Sequence, residues 1–249
     1  MPPPLQRLLP LASALTFLIL WQCLSMLFDA GLLPSPLTVL TVLLTAITEG
    51  PLPYHLGITL LRLAVSFVTA MLLGTALGVL MGRCPLVNRF LDGWLVLFLN
   101  IPALVTIILC YIWFGLAESA AILAVVINKL PNVVVTIREG TRTLDSRLMD
   151  MASLYRFGLY KTYRYVIWPQ LYPFVMTASR TGLALIWKII LVVELLGRSN
   201  GMGYQLHLFF QLFDVASLLA YSLSFILIIQ TIEWLILKPL DERAGRWRQ

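Results

Sequence analysis

One stretch of the chain, Asp150 to Pro169, breaks the pattern of everything around it. DMASLYRFGLYKTYRYVIWP sets Arg156, Lys161 and Arg164 among Tyr155, Phe157, Tyr160, Tyr163 and Tyr165, between two long apolar runs. A segment this basic cannot lie in hydrocarbon, so in a membrane-spanning chain it must be a cytoplasmic insertion. Its spacing predicts helix, turn, helix: Asp150 to Arg156 is helical, Gly158 interrupts, and Tyr160 to Trp168 resumes until Pro169 stops it. Two short amphipathic helices so placed would form a projection suited to docking.

The rest of the chain is the bundle that holds this projection. Apolar residues make up 59% of the sequence and charged residues 12%, against roughly 25% charged in a soluble domain. The fold class is therefore all-α, a polytopic membrane helix bundle. A length of 249 residues admits about six spans of ~20 residues each and leaves no room for a separate soluble domain. The expected spans are residues 9–28, 56–81, 94–114, 119–137, 173–197 and 215–237. Residues 1–249 then form a single transmembrane domain, with 138–172 as a cytoplasmic loop and 238–249 as a cytoplasmic tail.

The formal net charge of +6 could suggest nucleic acid, but the distribution of Lys and Arg points to membrane topology instead. With the N-terminus in the cytoplasm, thirteen basic residues fall inside: Arg7, Arg83, Arg89, six between Arg138 and Arg164, and Lys238, Arg243, Arg246 and Arg248 in the tail. Arg198 alone falls in the outside connections. Both termini are expected in the cytoplasm, with lipid rather than nucleic acid as a partner. Cys23, Cys84 and Cys110 are isolated, and His55 and His207 lack metal-ligand spacing, so no disulfide or metal site is expected.

Met1-Pro2-Pro3-Pro4 is a poor helix start, and the first span is expected from Leu9 as an uncleaved helix, with a signal peptide as the rival reading. After Leu33-Pro34-Ser35-Pro36, Leu37 to Thr48 reads as an amphipathic helix at the outer surface. Gly74, Gly78 and Gly82 stack on one face of the second span, which suits close packing inside the bundle or, alternatively, dimerisation. Arg62 is expected to snorkel to the interface. Near Asn100, Pro102 should kink the third span and free a carbonyl.

The strongest site signal is a pair of midplane lysines. Lys129 lies in the fourth span; Lys188 lies in the fifth, with Arg180 and Glu194. A central charge costs at least ~2.5–3.5 kcal/mol, so it faces a cavity or a paired charge. Either the two lysines line a solute route that favours an anion, or they pair internally with Glu194, Glu233 or Glu118. Glu194 and Arg198, four apart, could also pair at the end of their helix.

The chain carries no phosphate-cradling G-x-x-x-x-G-K-[ST] sequence and no H-E-x-x-H or G-x-S-x-G, so it is not expected to be an enzyme. Its loop does resemble a known signature, E-A-A, three residues, G, nine residues, I-x-L-P. Asp150-Met151-Ala152 stands for E-A-A, and Ala152 to Pro169 keeps the spacing of seventeen. Val166 and Trp168 take the Ile and Leu positions, while Arg156 occupies the Gly position and Gly158 comes two residues later. Ile101-Pro102-Ala103 with Trp113-Phe114-Gly115, and Glu194-Leu195-Leu196-Gly197 with Gly201-Met202-Gly203, carry the resemblance across nearly the whole chain.

The signature belongs to membrane-spanning permeases of bacterial ATP-binding-cassette importers of type I, and the other segments resemble their nitrate/sulfonate/taurine branch. The resemblance implies a bacterial inner-membrane location, a two-fold permease dimer, two cytoplasmic ATPase subunits and an extracytoplasmic solute-binding protein. ATP and magnesium would sit on the ATPases, with no cofactor in this chain. It implies an ATPase-coupling set of Asp150, Met151, Ala152, Tyr155, Arg156, Tyr160 and Pro169, with Ala152 small so that the helix can approach the partner's groove. The translocation set would be Asn100, Pro102, Lys129, Lys188 and Glu194, serving a small anion such as nitrate, bicarbonate or a sulfonate. An ion-coupled secondary transporter and a non-transporting scaffold subunit are the alternatives.

Overall fold

The helices of the computed structural model run in the order α1 (Pro4–Leu27), α2 (Pro36–Thr48), α3 (Leu52–Arg83), α4 (Pro85–Asn100), α5 (Ala103–Phe114), α6 (Glu118–Arg142), α7 (Ser146–Leu154), α8 (Leu159–Thr162), α9 (Trp168–Gly197), α10 (Met202–Gln211) and α11 (Val215–Ile232). Two π-helical turns, Tyr163–Ile167 and Glu233–Leu237, follow α8 and α11. The structure describes residues 4–29, 31–237 and 239. Met1 to Pro3 and nearly all of the expected cytoplasmic tail lie outside the described residues. No strand occurs among the residues described.

Glycine spacing decides how the bundle closes. A Cβ on Gly74 would stand 2.6 Å from Val133 Cβ, one on Gly78 2.7 Å from Ile137 Cβ, and one on Gly82 2.5 Å from Thr141 Cβ. The glycine face of α3 therefore lies directly on α6, and the packing expectation, rather than dimerisation, describes it. On its other side α6 meets α9, where Gly140 admits the ring of Phe174 and Gly182 admits the side chain of Lys129. Val133, Ile137 and Ala178 are buried at this three-helix centre, and a larger apolar cluster joins α2, α3, α5, α6, α9, α10 and α11 around Ile107, Val125, Ile186, Ile190 and Phe225.

Three rods, α3, α6 and Val215–Leu235, are long and apolar enough to cross a membrane. At 24 and 30 residues, α1 and α9 would extend about 36 and 45 Å. The third expected span departs most from the sequence reading. Pro102 does not kink a helix over 94–114 but separates two helices, α4 and α5, which meet at 99°. Ile101 is extended, as a residue before proline prefers, and Pro102 itself lies outside both helices. The first helix also begins earlier than expected, at Pro4, where proline's missing N–H costs nothing.

Candidate functional site

The projection is built by a turn that normally calls for glycine. α7 ends at Leu154 with Tyr155 as its C-cap, and Arg156 takes φ +49°, in the left-handed region. Arg156 N–H donates to Ser153 O at 3.0 Å and Phe157 N–H to Ala152 O at 2.8 Å, the paired bonds of a Schellman turn. The signature's glycine position is thus a left-handed position, and Arg156 meets the geometry at a cost of roughly 1–2 kcal/mol. Gly158 has ordinary φ and is the N-cap of α8.

Pro169 does not end the second helix, contrary to expectation. It lies in the first turn of α9, and the chain is helical from Leu159 to Gly197. Proline has no N–H to offer the preceding turn, and the helix widens just before it: Trp168 N–H donates to Tyr163 O, five residues back. Gln170 then ties the base of the projection together. Its Nε2 donates to Val166 O, and its Oε1 accepts from Asp145 N–H, both at 2.8 Å.

Exposure sorts the expected coupling residues. Tyr155 and Tyr160 are 69% and 76% exposed, and Leu154 and Leu159, which the sequence reading did not single out, are 80% and 93% exposed. Asp150, Met151 and Arg156 are also exposed, and Pro169 is half-buried. Ala152 is different: it is only 2% exposed, turned into the chain as α7 packs on the π turn. Its small side chain serves contact within this chain, not approach to a partner's groove.

The expected translocation residues do not converge. Asn100 is exposed and donates to Val96 O of its own helix at 2.7 Å. Lys129 is 1% exposed against Gly182 and Phe67, and none of the ion pairs or hydrogen bonds among the described residues involves it. Lys188 is exposed, its Nζ 5.4 Å from the ring of Trp187. Asn128, Asn132 and Thr136 make a polar stripe along α6. The contacts of Gly140 with Phe174 and Gly182 with Lys129 set an antiparallel register that puts Thr136 level with Thr177 and Asn132 near Thr181 of α9. Asn132, Thr177, Thr181 and Lys188 are all exposed, a polar strip on a surface otherwise crowded with exposed Leu, Ile, Val and Phe.

Glu194 belongs to a separate cluster that the sequence reading missed. Arg62 does not snorkel; it is 3% exposed and uses all five of its N–H donors. Nε and Nη2 hold Glu118 as a bidentate pair, Nη1 donates to Glu194 Oε1 at 2.7 Å and to Asn200 O at 3.0 Å, and Nη2 also reaches Asn200 Oδ1. Glu194, fully buried, further accepts from Thr59 Oγ1 and Gly203 N–H, each at 2.9 Å. Arg198 pairs with Glu118 at 2.6 Å, not with Glu194 four residues before it. Glycine is required beside this carboxylate: Gly201 has φ +106°, and a Cβ there would stand 2.3 Å from Glu194 Cδ. The usable signal was depth. Arg62 lies ten residues beyond the first residue of α3, about 15 Å along its axis, which is far for a side chain to reach back.

Residues 70–237 match the family described as "Binding-protein-dependent transport system inner membrane component". The chain is similar to the putative aliphatic sulfonates transport permease protein SsuC of Escherichia coli K12, at 31% identity over 80% of this chain and 77% of that one. It is 30% identical to the SsuC of Bacillus subtilis 168 over 75% of this chain and 68% of the other. The taurine transport system permease protein TauC of E. coli K12 is 27% identical over 86% and 80%. A solved structure titled "Crystal structure of an amino acid ABC transporter with histidines" shares the fold, with a TM-score of 0.64 at 19% identity, over 80% of this chain and 97% of that one.

Proposed function

Because the chain belongs to the inner-membrane components of binding-protein-dependent transport systems, we propose that it is the permease subunit of an ATP-driven importer for a small organic or inorganic anion. The observation that carries this reading is the exposed polar strip of α6 and α9, Asn132, Thr177, Thr181 and Lys188. On a membrane bundle such a strip needs water or a second polar surface beside it. A second copy of the chain, related by a two-fold axis, would supply that surface and enclose the route. Lys188 gives the strip positive charge, and sulfonate and taurine in the relatives' names suit a solute with an anionic group.

The projection would dock in a groove on a cytoplasmic ATPase subunit, with Tyr155, Leu159 and Tyr160 as the apolar contact and Arg156 and Lys161 at its rim. ATP and magnesium would be bound by that partner, not by this chain. Closure of the ATPases would move the projections, and the helices leading from them would switch the route from inward-facing to outward-facing. Hydrolysis would reset it. Both termini would lie in the cytoplasm and six spans would cross the membrane, while an extracytoplasmic binding protein would deliver solute.

Uptake of a radiolabelled alkanesulfonate into membrane vesicles carrying the reconstituted system is expected to require internal ATP and to fall in Lys188→Ala without loss of assembly. Uptake driven by an ion gradient alone would overturn the reading.

A further inference from the structure

A cavity of about 500 Å³ opens at the end of the bundle opposite the projection, lined by α2 and the turn that follows it, α10 and α11. Its wall carries two side chains that are more than nine-tenths buried, Gln205 and Tyr221, at 7% and 3% exposure. The Tyr221 hydroxyl has no hydrogen-bond partner among the described residues, yet it is not sealed from solvent. For Gln205, Gly201 N–H donates to His55 Nδ1 at 3.0 Å, so the imidazole proton sits on Nε2 and faces the Gln205 amide at 2.8 Å. The structure sets Gln205 Nε2 at that position, where two N–H groups would face each other, so we assign the amide the opposite orientation: Oε1 accepts from His55 and the NH₂ group is left without a partner. Two donors are therefore unused in the wall. Thr45 and Ser217 also line the cavity, and Glu49, which is exposed, is the charge among the described lining residues.

We propose that this cavity binds a small zwitterion, with its ammonium group on Glu49 and its oxyanion on the Gln205 amide and Tyr221 hydroxyl. Buried donors and an exposed acceptor suit a ligand carrying both charges better than one carrying either. The same chemistry occurs in a free amino acid and in the aminoethyl phosphate headgroup of a lipid. Occupancy would be felt beyond the cavity, because Gln205 holds His55, His55 holds Gly201, and the neighbouring Gly203 and Asn200 hold Glu194 and Arg62. The proposal uses the transporter reading only for the side from which ligand arrives, and its test needs no transport, so either can fail alone.

The full chain in phosphatidylglycerol nanodiscs is titrated calorimetrically with β-alanine and with O-phosphoethanolamine, with propylamine and propionate as single-charge probes. At least one zwitterion is expected to bind, at least tenfold more tightly than either single-charge probe, with Glu49→Gln and Tyr221→Phe each weakening it about tenfold. Repeating the titration in phosphatidylethanolamine discs separates the sources. Persistence of binding assigns the site to a soluble zwitterion, and its loss assigns it to the headgroup. Absence of zwitterion binding in phosphatidylglycerol, equal binding of a single-charge probe, or indifference to Glu49→Gln overturns the proposal; Glu49 is exposed, so that variant leaves the packing intact.

Discussion

Replacing Arg62 with methionine keeps an unbranched apolar stem and takes the guanidinium away from Glu118, Glu194 and Asn200. The consequence is unequal for the two carboxylates. Glu118, at 46% side-chain exposure, can turn to water, while Glu194, at 0%, cannot. It would keep its bonds from Thr59 and Gly203 but lose its counter-charge. Removing one partner of a buried ion pair costs about 3–5 kcal/mol, and the exposed Glu118 pair adds little to that. For a chain of this size the loss corresponds to a fall in melting temperature of roughly 6–20 °C. The assay is a thermal melt of purified permease in nanodiscs, run as a double-mutant cycle with Glu194→Gln. Because the damage is a stranded charge, the double variant should melt above Arg62→Met alone by several degrees. A single variant within 2 °C of wild type, or a double variant no more stable than the single, would refute the reasoning.

Four further outcomes are expected. Gly78→Leu forces a side chain into Ile137 and should abolish accumulation of folded protein, whereas Gly57→Ala, with open space around it, should express normally; expression with a membrane-fraction blot reads both. Arg156→Gly relieves the left-handed turn and should gain about 1 kcal/mol locally, seen as slower hydrogen exchange at residues 156 and 157. Leu159→Asp should leave the melt unchanged but lose co-purification of the ATPase subunit, while Ala152→Asp, at a buried site, should lower the melting temperature as well. Lys129→Leu should raise the melting temperature, since it removes a buried charge costing at least ~2.5–3.5 kcal/mol; a fall would mean that Lys129 has a stabilising partner in the assembled protein.

What could be read from the sequence divides by the range of the interaction that decides it. The Gly74, Gly78, Gly82 face was legible because a four-residue repeat fixes a helix face whatever it meets. The basic, tyrosine-rich projection was legible because charge cannot enter hydrocarbon. Pro169 misled because a local rule, proline as helix breaker, yields to geometry in which the helix widens one turn earlier and proline becomes a first-turn residue. Ala152 misled for a related reason: small size invites close approach but does not say by what. Arg62 and Glu194 are 132 residues apart, so no spacing rule joins them, and Arg198 was a nearer and plausible partner for the same carboxylate.

The unbroken run from Leu159 to Gly197 has a mechanical corollary. Tyr160, at the tip of the projection, and Glu194, held by Thr59 and Arg62 of α3 and by Gly203 of α10, sit on one helical run about 50 Å long. If the projection docks as proposed, thrust at its tip would reach the ionic clamp along one continuous helical run, with Pro173 inside it. Torque need not, because the under-wound π turn at Tyr163–Ile167 is the place along the shaft where twist can be taken up first.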